Sequence, residues 1–564
     1  MKRALALIAL ALCACTLSPD APSFRERSDR ALVEYFALAP EVAAYLGDHS
    51  YDGKLAYPDA EYVRRAVAWS RELEADLAGF DASALSRRER VERASWRLVA
   101  GALRFSLETQ RAPQRSPLLY ESAFDLASYL SKSYAPLEQR ARALAAHADA
   151  GVRLLALAEQ QLDPVLPRAV LEVELGNARG AIDFLRDDVP EALAPLASND
   201  AHEAALAATS RLARATKRYV EFLEARLPAS DASYAIGEEA LLRKLRETDG
   251  IELGLTEIEA ICDAEVARDT AALAETARAI DPTRSAADVF LDAHSESPPA
   301  REVHTLARAH LEGLRSSMVA RDVASIPSED RVLVAESPSY MRSAFAWFVA
   351  SGPLEPKPVE SFFYVTSTGA DWPAERQRDF LPPRVALLAL SAHEGYPGHF
   401  LHELWIRRIP SRTERALAEI ASTITSEGWA TYAEEIAWEA SARDPREHLG
   451  QLGYSLIRAG RCKAAIGLHL RGWSVAQAAR AIREISHTSQ VIADEEALRG
   501  TYDPEYLGYT LAKAQIRALR EELRAKAERA GRAFSVREFH DAFMSYGGAP
   551  LPAIREAMRD AASD

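Results

Sequence analysis

The chain of 564 residues carries 68 basic and 83 acidic side chains, a net charge of −15, with 48% apolar and 27% charged residues. That length exceeds one ordinary compact domain and supplies a sizeable core, although an elongated helical unit can also reach it, and the composition is that of a globular protein. The acidic balance argues against a nucleic-acid partner, whose binding rests on neutralising phosphates with Lys and Arg, and favours small molecules or peptides.

The chain opens MKRALALIALALCACTLSPD. Lys2 and Arg3 precede an apolar run, Ala4 to Leu12, too short to cross a bilayer, so residues 1–15 are expected to be a secretion signal with a lipobox, cleaved after Ala14. Leu12-Cys13-Ala14-Cys15 resembles a bacterial lipobox with Cys15 as the acylated residue; plain signal cleavage nearby is the alternative. With no later apolar run of about 18 residues, a lipid on Cys15 is the expected sole anchor, placing the protein in the cell envelope. Cys262 and Cys462 are the other cysteines of the mature chain, and whether they pair is not readable from sequence.

Residues 16–230 are expected to be an N-terminal helical region. Segments such as ERASWRLVAGALRFSLETQ and EQRARALAAHADAGVRLLALAEQQL show apolar residues at helical spacing. Leu227-Pro228-Ala229-Ser230-Asp231 breaks the pattern, as a domain boundary or as a loop within one domain. The second region, 231–564, is also helical but contains two β-like runs, Arg331–Val334 and Ser361–Thr366. The run Phe362–Val365 is either a core hairpin strand or an edge that pairs with a peptide backbone. Pro383 to Glu394 predicts a buried helix, and Ser411 predicts the cap of a long helix holding SEGWATYAEE.

The chemistry concentrates in SAHEGYPGHFLH, residues 391–402, which holds three of the 13 histidines. It begins like the zinc signature HExxH, where two histidines one turn apart share a metal and the glutamate reaches water. Here His393 and His399 are six residues apart, about 120° of azimuth on a straight helix, and cannot share an ion. Pro397 disfavours helix at Tyr396, however, and Gly398 is free to adopt unusual angles, so the chain can turn and bring His399 back. An open catalytic zinc site needs a third ligand. Glu427 in SEGWATYAEE is the best candidate and Glu434, seven residues on, the reserve, otherwise an outer-shell or solvated carboxylate. Glu394 would be the general base. His402 is expected to be supporting or structural. By spacing alone, a helix junction that happens to contain histidines remains an even alternative.

HEGYPGHFLH, SEGWATYAEE, YDPEYLGYTLAKAQIRALR and FHDAFMSYGGAPLPAI, taken in order with the early LGDHSYDGKL, resemble the bacterial domain of unknown function family 885. Its members carry an HExxPGHH stretch, an EGWAxYxE helix and closing FHD and GxxPL segments, and are similar to helical zinc peptidases. Phe400 stands where the family usually has a second histidine, and His402 where it often has Gln; the three proposed ligands are unaffected. The resemblance implies a mainly α fold of zincin-like peptidase architecture, with a small β-sheet and a cleft between helical halves. It implies zinc on His393, His399 and Glu427, with Glu394 as base. Tyr509 matches a family tyrosine, either an oxyanion donor or a core side chain; Arg520 matches the family's closing arginine. Lys513, Arg517 and Arg520 recur at helical spacing, as anchors for a substrate carboxylate or as a solvated face. His49 with Asp52 either lines the cleft or fixes a turn, and His540 is equally open. The expected function is a lipid-anchored zinc hydrolase acting on peptides; a non-peptide amidase and a non-catalytic binding lipoprotein are the alternatives.

Overall fold

Three helix starts in the first hundred residues follow from capping chemistry. Ser23 opens α1 (Phe24–Leu38): its hydroxyl accepts from Glu26 N at 3.3 Å while the Glu26 carboxylate accepts from Ser23 N at 2.8 Å. Asp59 caps α2 (Ala60–Ala78), and Ser86 with Glu89 repeats the reciprocal cap on α3 (Arg87–Arg104). This computed structural model describes residues 22–562 apart from 198, 339–344, 369–371, 374–376, 378–379 and 442–443. The predicted signal segment and Cys15 lie outside the described residues.

Two cores occupy the N-terminal portion. Leu144, Leu155, Leu171, Leu175, Leu212 and Leu223 pack α4 (Leu137–Gln161), α5 (Arg168–Asp183) and α6 (Asp200–Glu224) together. Leu32, Phe36, Leu73 and Trp96 of α1 to α3 instead share a core with Ala416 and Leu417, more than three hundred residues away. The apolar stripe of the first helices thus closes on the C-terminal region.

The largest core belongs to the C-terminal region. It contains α7 (Leu255–Ile280) and α8 (Ala300–Ala320), then a sheet of β1 (Leu333–Glu336), β2 (Ala346–Val349) and β3 (Phe362–Val365). The fold is mainly helical with this small sheet. β3 is the middle strand, parallel to β1 and antiparallel to β2, and all four of its residues are buried. It therefore offers no free edge, so the peptide-pairing alternative for Phe362–Val365 fails. β1 begins two residues later than the run Arg331–Val334. β2 was not expected: its Ala/aromatic run is not set off by a turn residue until Gly352.

Beyond the sheet come α9 (Leu387–Glu394), α10 (His399–Ile406), α11 (Arg412–Ile420), α12 (Thr423–Ser441) and α13 (Pro445–Leu470). After them α14 (Gln490–Arg499), α15 (Gly508–Arg529) and α16 (Val536–Met544) complete the elements that matter here. Ser411 does cap a helix, but that helix is α11, and SEGWATYAEE lies on the separate α12. The break is at Ser422, whose N–H donates to Gly548 O at 2.9 Å and whose hydroxyl accepts from Thr425 N at 3.2 Å. Cys262 on α7 and Cys462 on α13, 200 residues apart, form a disulfide. Among the described residues no helix is long and apolar enough to cross a membrane.

Candidate metal centre

The turn between the two motif histidines is built by its own residues. α9 stops at Glu394, and the chain passes through Gly395, Tyr396 and a cis Pro397 before α10 starts at His399. Gly398 folds back onto α9, its N–H donating to Ala392 O at 2.9 Å. A Cβ at Gly398 would lie 1.9 Å from His393 O, so the approach is closed to any other residue. Trp429 Nε1 donates to Pro397 O at 2.9 Å and fixes the turn to α12. The His393 and His399 rings stand 4.9 Å apart between centroids, at 89°.

Both rings face Glu427. Its Oε2 lies 3.3 Å from His393 Nε2 and 3.6 Å from His399 Nε2, and ligand atoms of the three residues fall within 4.8 Å of one another. Four ligands at about 2.05 Å around a tetrahedral zinc are separated by about 3.3 Å. The observed spacings match that edge length, and the buried Glu427 Oε2 has no hydrogen-bond partner among the described residues. The residues present therefore fit a zinc ion, with three protein ligands among the described residues.

Glu434 takes the supporting place. Its fully buried carboxylate sits 2.9 Å from His393 Nδ1 and 2.8 and 3.0 Å from the two terminal nitrogens of Arg458. By accepting from Nδ1–H, Glu434 orients the ring so that Nε2 faces Glu427. Arg458, on α13, neutralises the second carboxylate. On α10, Phe348 of β2 stacks over His399 with ring centroids 6.0 Å apart. One turn on, Glu403 accepts from Ser351 N at 3.1 Å and Ser361 Oγ at 2.8 Å, tying the ligand helix to the sheet.

Electrostatics separates the two carboxylates of the motif. Burial pushes Glu394 above the usual carboxylate range, with Glu427 adding to the push and the two histidines opposing it. Burial acts the same way on Glu427, but the His399 and His393 rings outweigh it and hold Glu427 well below that range. For His393, burial and Arg458 pull downward, yet the neighbouring carboxylates of Glu427, Glu434 and Glu394 prevail and raise it to about 9. One carboxyl is thus suited to carry a proton and the other to remain an anionic ligand.

Tyr509 is beside this group. α15 packs against α12 at Gly428, where a Cβ would meet Ala512 Cβ at 2.2 Å, and Tyr509 is one turn before Ala512. Its ring is buried, and after burial the charge of Glu427 contributes most to raising its phenol. The structure does not bring Lys513 and Arg520 to the triad. Lys513 Nζ lies 3.2, 3.5 and 3.3 Å from Glu265, Asp269 and Glu435 and donates to Ser455 Oγ at 2.6 Å. Arg268 and Arg517 pair with the same carboxylates. Arg520 donates to Tyr432 OH at 2.9 Å and to Glu439 at 3.1 Å.

The other histidines have structural partners or surroundings. His402 is buried and pulled down to about 3, first by burial, and its Nε2 has no partner among the described residues. His540, pulled down to about 3 mainly by burial, lies between Val323 O (2.8 Å) and Tyr432 OH (3.2 Å). His49 does fix a turn, through Asp52 at 3.0 Å, and also reaches Glu355 at 2.9 Å, clasping the N-terminal region to the β2–β3 connection. Arg458 and Glu403 were not anticipated. For Arg458 the local sign was present: a basic residue inside the otherwise apolar run SLIRAG is a buried ion pair in waiting.

A match to the family described as "Bacterial protein of unknown function (DUF885)" spans residues 40–558. The chain belongs to this family. It is similar in fold to a structure from Shewanella oneidensis, described as a candidate lipoprotein of unknown function, with 20% identity and a TM-score of 0.76 over 96% of this chain and 100% of that one. A second similar structure, a candidate lipoprotein from Colwellia psychrerythraea, gives 16% identity and a TM-score of 0.74 over 96% and 99%. No curated protein matches the chain.

Proposed function

We propose that this protein is a zinc-dependent hydrolase, specifically a metallopeptidase of zincin-like architecture that cleaves peptides in a cleft between its helical halves. The observation that carries this reading is the convergence of His393, His399 and the orphan Oε2 of Glu427 at tetrahedral-edge spacing. Bound zinc supplies Lewis acidity toward a carbonyl oxygen and toward water. Glu394, raised by burial, accepts the proton of the attacking water and returns it to the leaving amine. Glu434, itself paired with Arg458, accepts from His393 Nδ1–H and so leaves Nε2 to the metal. The Tyr509 hydroxyl donates to the carbonyl oxygen as negative charge develops on it.

A peptide is favoured over other amides by the sheet edge next to His399. Thr366 N donates to Phe345 O, so by alternation Ala346 and Phe348 direct their backbone groups away from β3, toward the outer edge of β2. Such an edge takes an extended backbone. The disulfide, the lipobox at Cys15 and the two lipoprotein-like structures support a lipid-anchored protein of the oxidising cell envelope. The test is Glu394→Gln. It is expected to retain zinc and to lose peptide-library hydrolysis by roughly a hundred- to ten-thousand-fold. Undiminished turnover would remove Glu394 from the mechanism, and wild-type hydrolysis of non-peptide amides alone would move the reading to an amidase.

A further inference from the structure

Two buried tyrosines in this region each accept a hydrogen bond from an arginine, and they differ in what becomes of the phenol proton. Arg520 donates to Tyr432 OH at 2.9 Å, and Tyr432 lies 3.2 Å from His540 Nε2. Since His540 Nδ1 faces the Val323 carbonyl at 2.8 Å and must donate to it, Nε2 is the acceptor of the Tyr432 proton. That proton is engaged. Arg499 donates to Tyr509 OH at 2.9 Å, and Arg499 is the only hydrogen-bond partner of that hydroxyl among the described residues. A guanidinium has no acceptor, so the Tyr509 oxygen accepts and its proton is left over.

The arginine is itself held rigidly. Asp503, one turn on from Arg499, takes its Nε at 2.8 Å and its terminal nitrogen at 2.7 Å. Arg461 covers the Tyr509 ring at 5.0 Å and is fixed by two 2.6 Å bonds to Glu496. On its other side Tyr509 has α12, with Glu427 next to the Gly428–Ala512 contact. We infer that Arg499 is a positioning residue: by occupying the oxygen of Tyr509 it fixes the direction of the hydrogen bond, leaving the proton available to an oxyanion formed beside Glu427. This rests on the proposed hydrolase reading and extends it to a residue that does not touch substrate.

Replacements that differ in hydrogen-bond polarity test the idea. Arg499→Met removes the donor and is expected to lower kcat about tenfold with KM nearly unchanged, and to have no further effect in a Tyr509→Phe background. Arg499→Lys keeps a group that only donates and should restore most of kcat. Arg499→Gln offers a carbonyl that can take the phenol proton and should be at least as impaired as Arg499→Met. Independently of turnover, the metal-free protein with 13Cζ-labelled tyrosine should show a resonance, absent in Tyr509→Phe, that moves in Arg499→Met and stays in place in Arg520→Met. An unmoved resonance, or an equal loss of kcat from Arg499→Met with and without Tyr509, overturns the role of Arg499. A zinc-free or inactive wild type overturns the hydrolase reading instead, and with it any use of the free proton.

Discussion

Among the described residues two clusters bring three potential ligand residues within 4.8 Å, and only one of them is already filled by the protein's own cations. In the first, His393, His399 and Glu427 converge with an unsatisfied carboxylate oxygen between them. In the second, Glu265, Asp269 and Glu435 surround Lys513, and Arg268 and Arg517 close the remaining sides. Lysine and arginine already supply there the positive charge that a cation would bring. Convergence of ligands is therefore necessary for a metal centre and insufficient; the difference lies in whether the protein has filled the site with its own cations.

The strongest way to break this contrast is Lys513→Met. Leaving three buried carboxylates short of a cation should cost about 3–5 kcal/mol in urea unfolding while zinc content stays as in the wild type. Zinc loss in this variant would mean that the two clusters are not independent. Next is Glu434→Gln, which weakens the hold on His393 Nδ1. Competition with a chelator should show zinc affinity lower by roughly 10–100-fold; unchanged affinity would reduce Glu434 to a partner of Arg458 alone.

The smallest effect is a control outside both clusters. His49 is raised from 6.5 to about 9, because its bonds to Asp52 and Glu355 outweigh a burial effect that acts the other way. A raised histidine contributes stability that is fully present below its unfolded value, near 6.5, and is lost as pH rises through about 9. His49→Asn should therefore cost on the order of 1–2 kcal/mol at pH 6, after allowing for its partial exposure, and little at pH 10, with zinc content unchanged at both. A cost independent of pH would mean that the clasp acts through packing.

Much of the first cluster is legible in the sequence because its determinants are local. Pro397 and Gly398 announce a turn, and the turn decides that histidines six residues apart can meet. Glu427 is legible as a candidate on the following helix, with Glu434 in reserve, and the resemblance of SEGWATYAEE to the family's helix singles it out; the glycine contact that lets α15 approach is visible only in the structure. The second cluster is not legible. Helical spacing shows that Lys513, Arg517 and Arg520 share a face of α15, but not that α7, more than two hundred residues earlier, presents Glu265 and Asp269 to it. Strand order is hidden for the same reason: FFYV reads as a strand, and only pairing on both sides makes it the middle one. The polarity of the Tyr509 hydrogen bond depends on Arg499, ten residues away across a helix break, and periodicity carries no trace of it.

Metal analysis by mass spectrometry on the purified protein, with His399→Ala measured beside it, tests the central claim most directly. The expected result is about one zinc per chain in the wild type and almost none in His399→Ala. A wild type that holds no zinc after exposure to it, or a His399→Ala protein that holds as much as the wild type, would contradict the account.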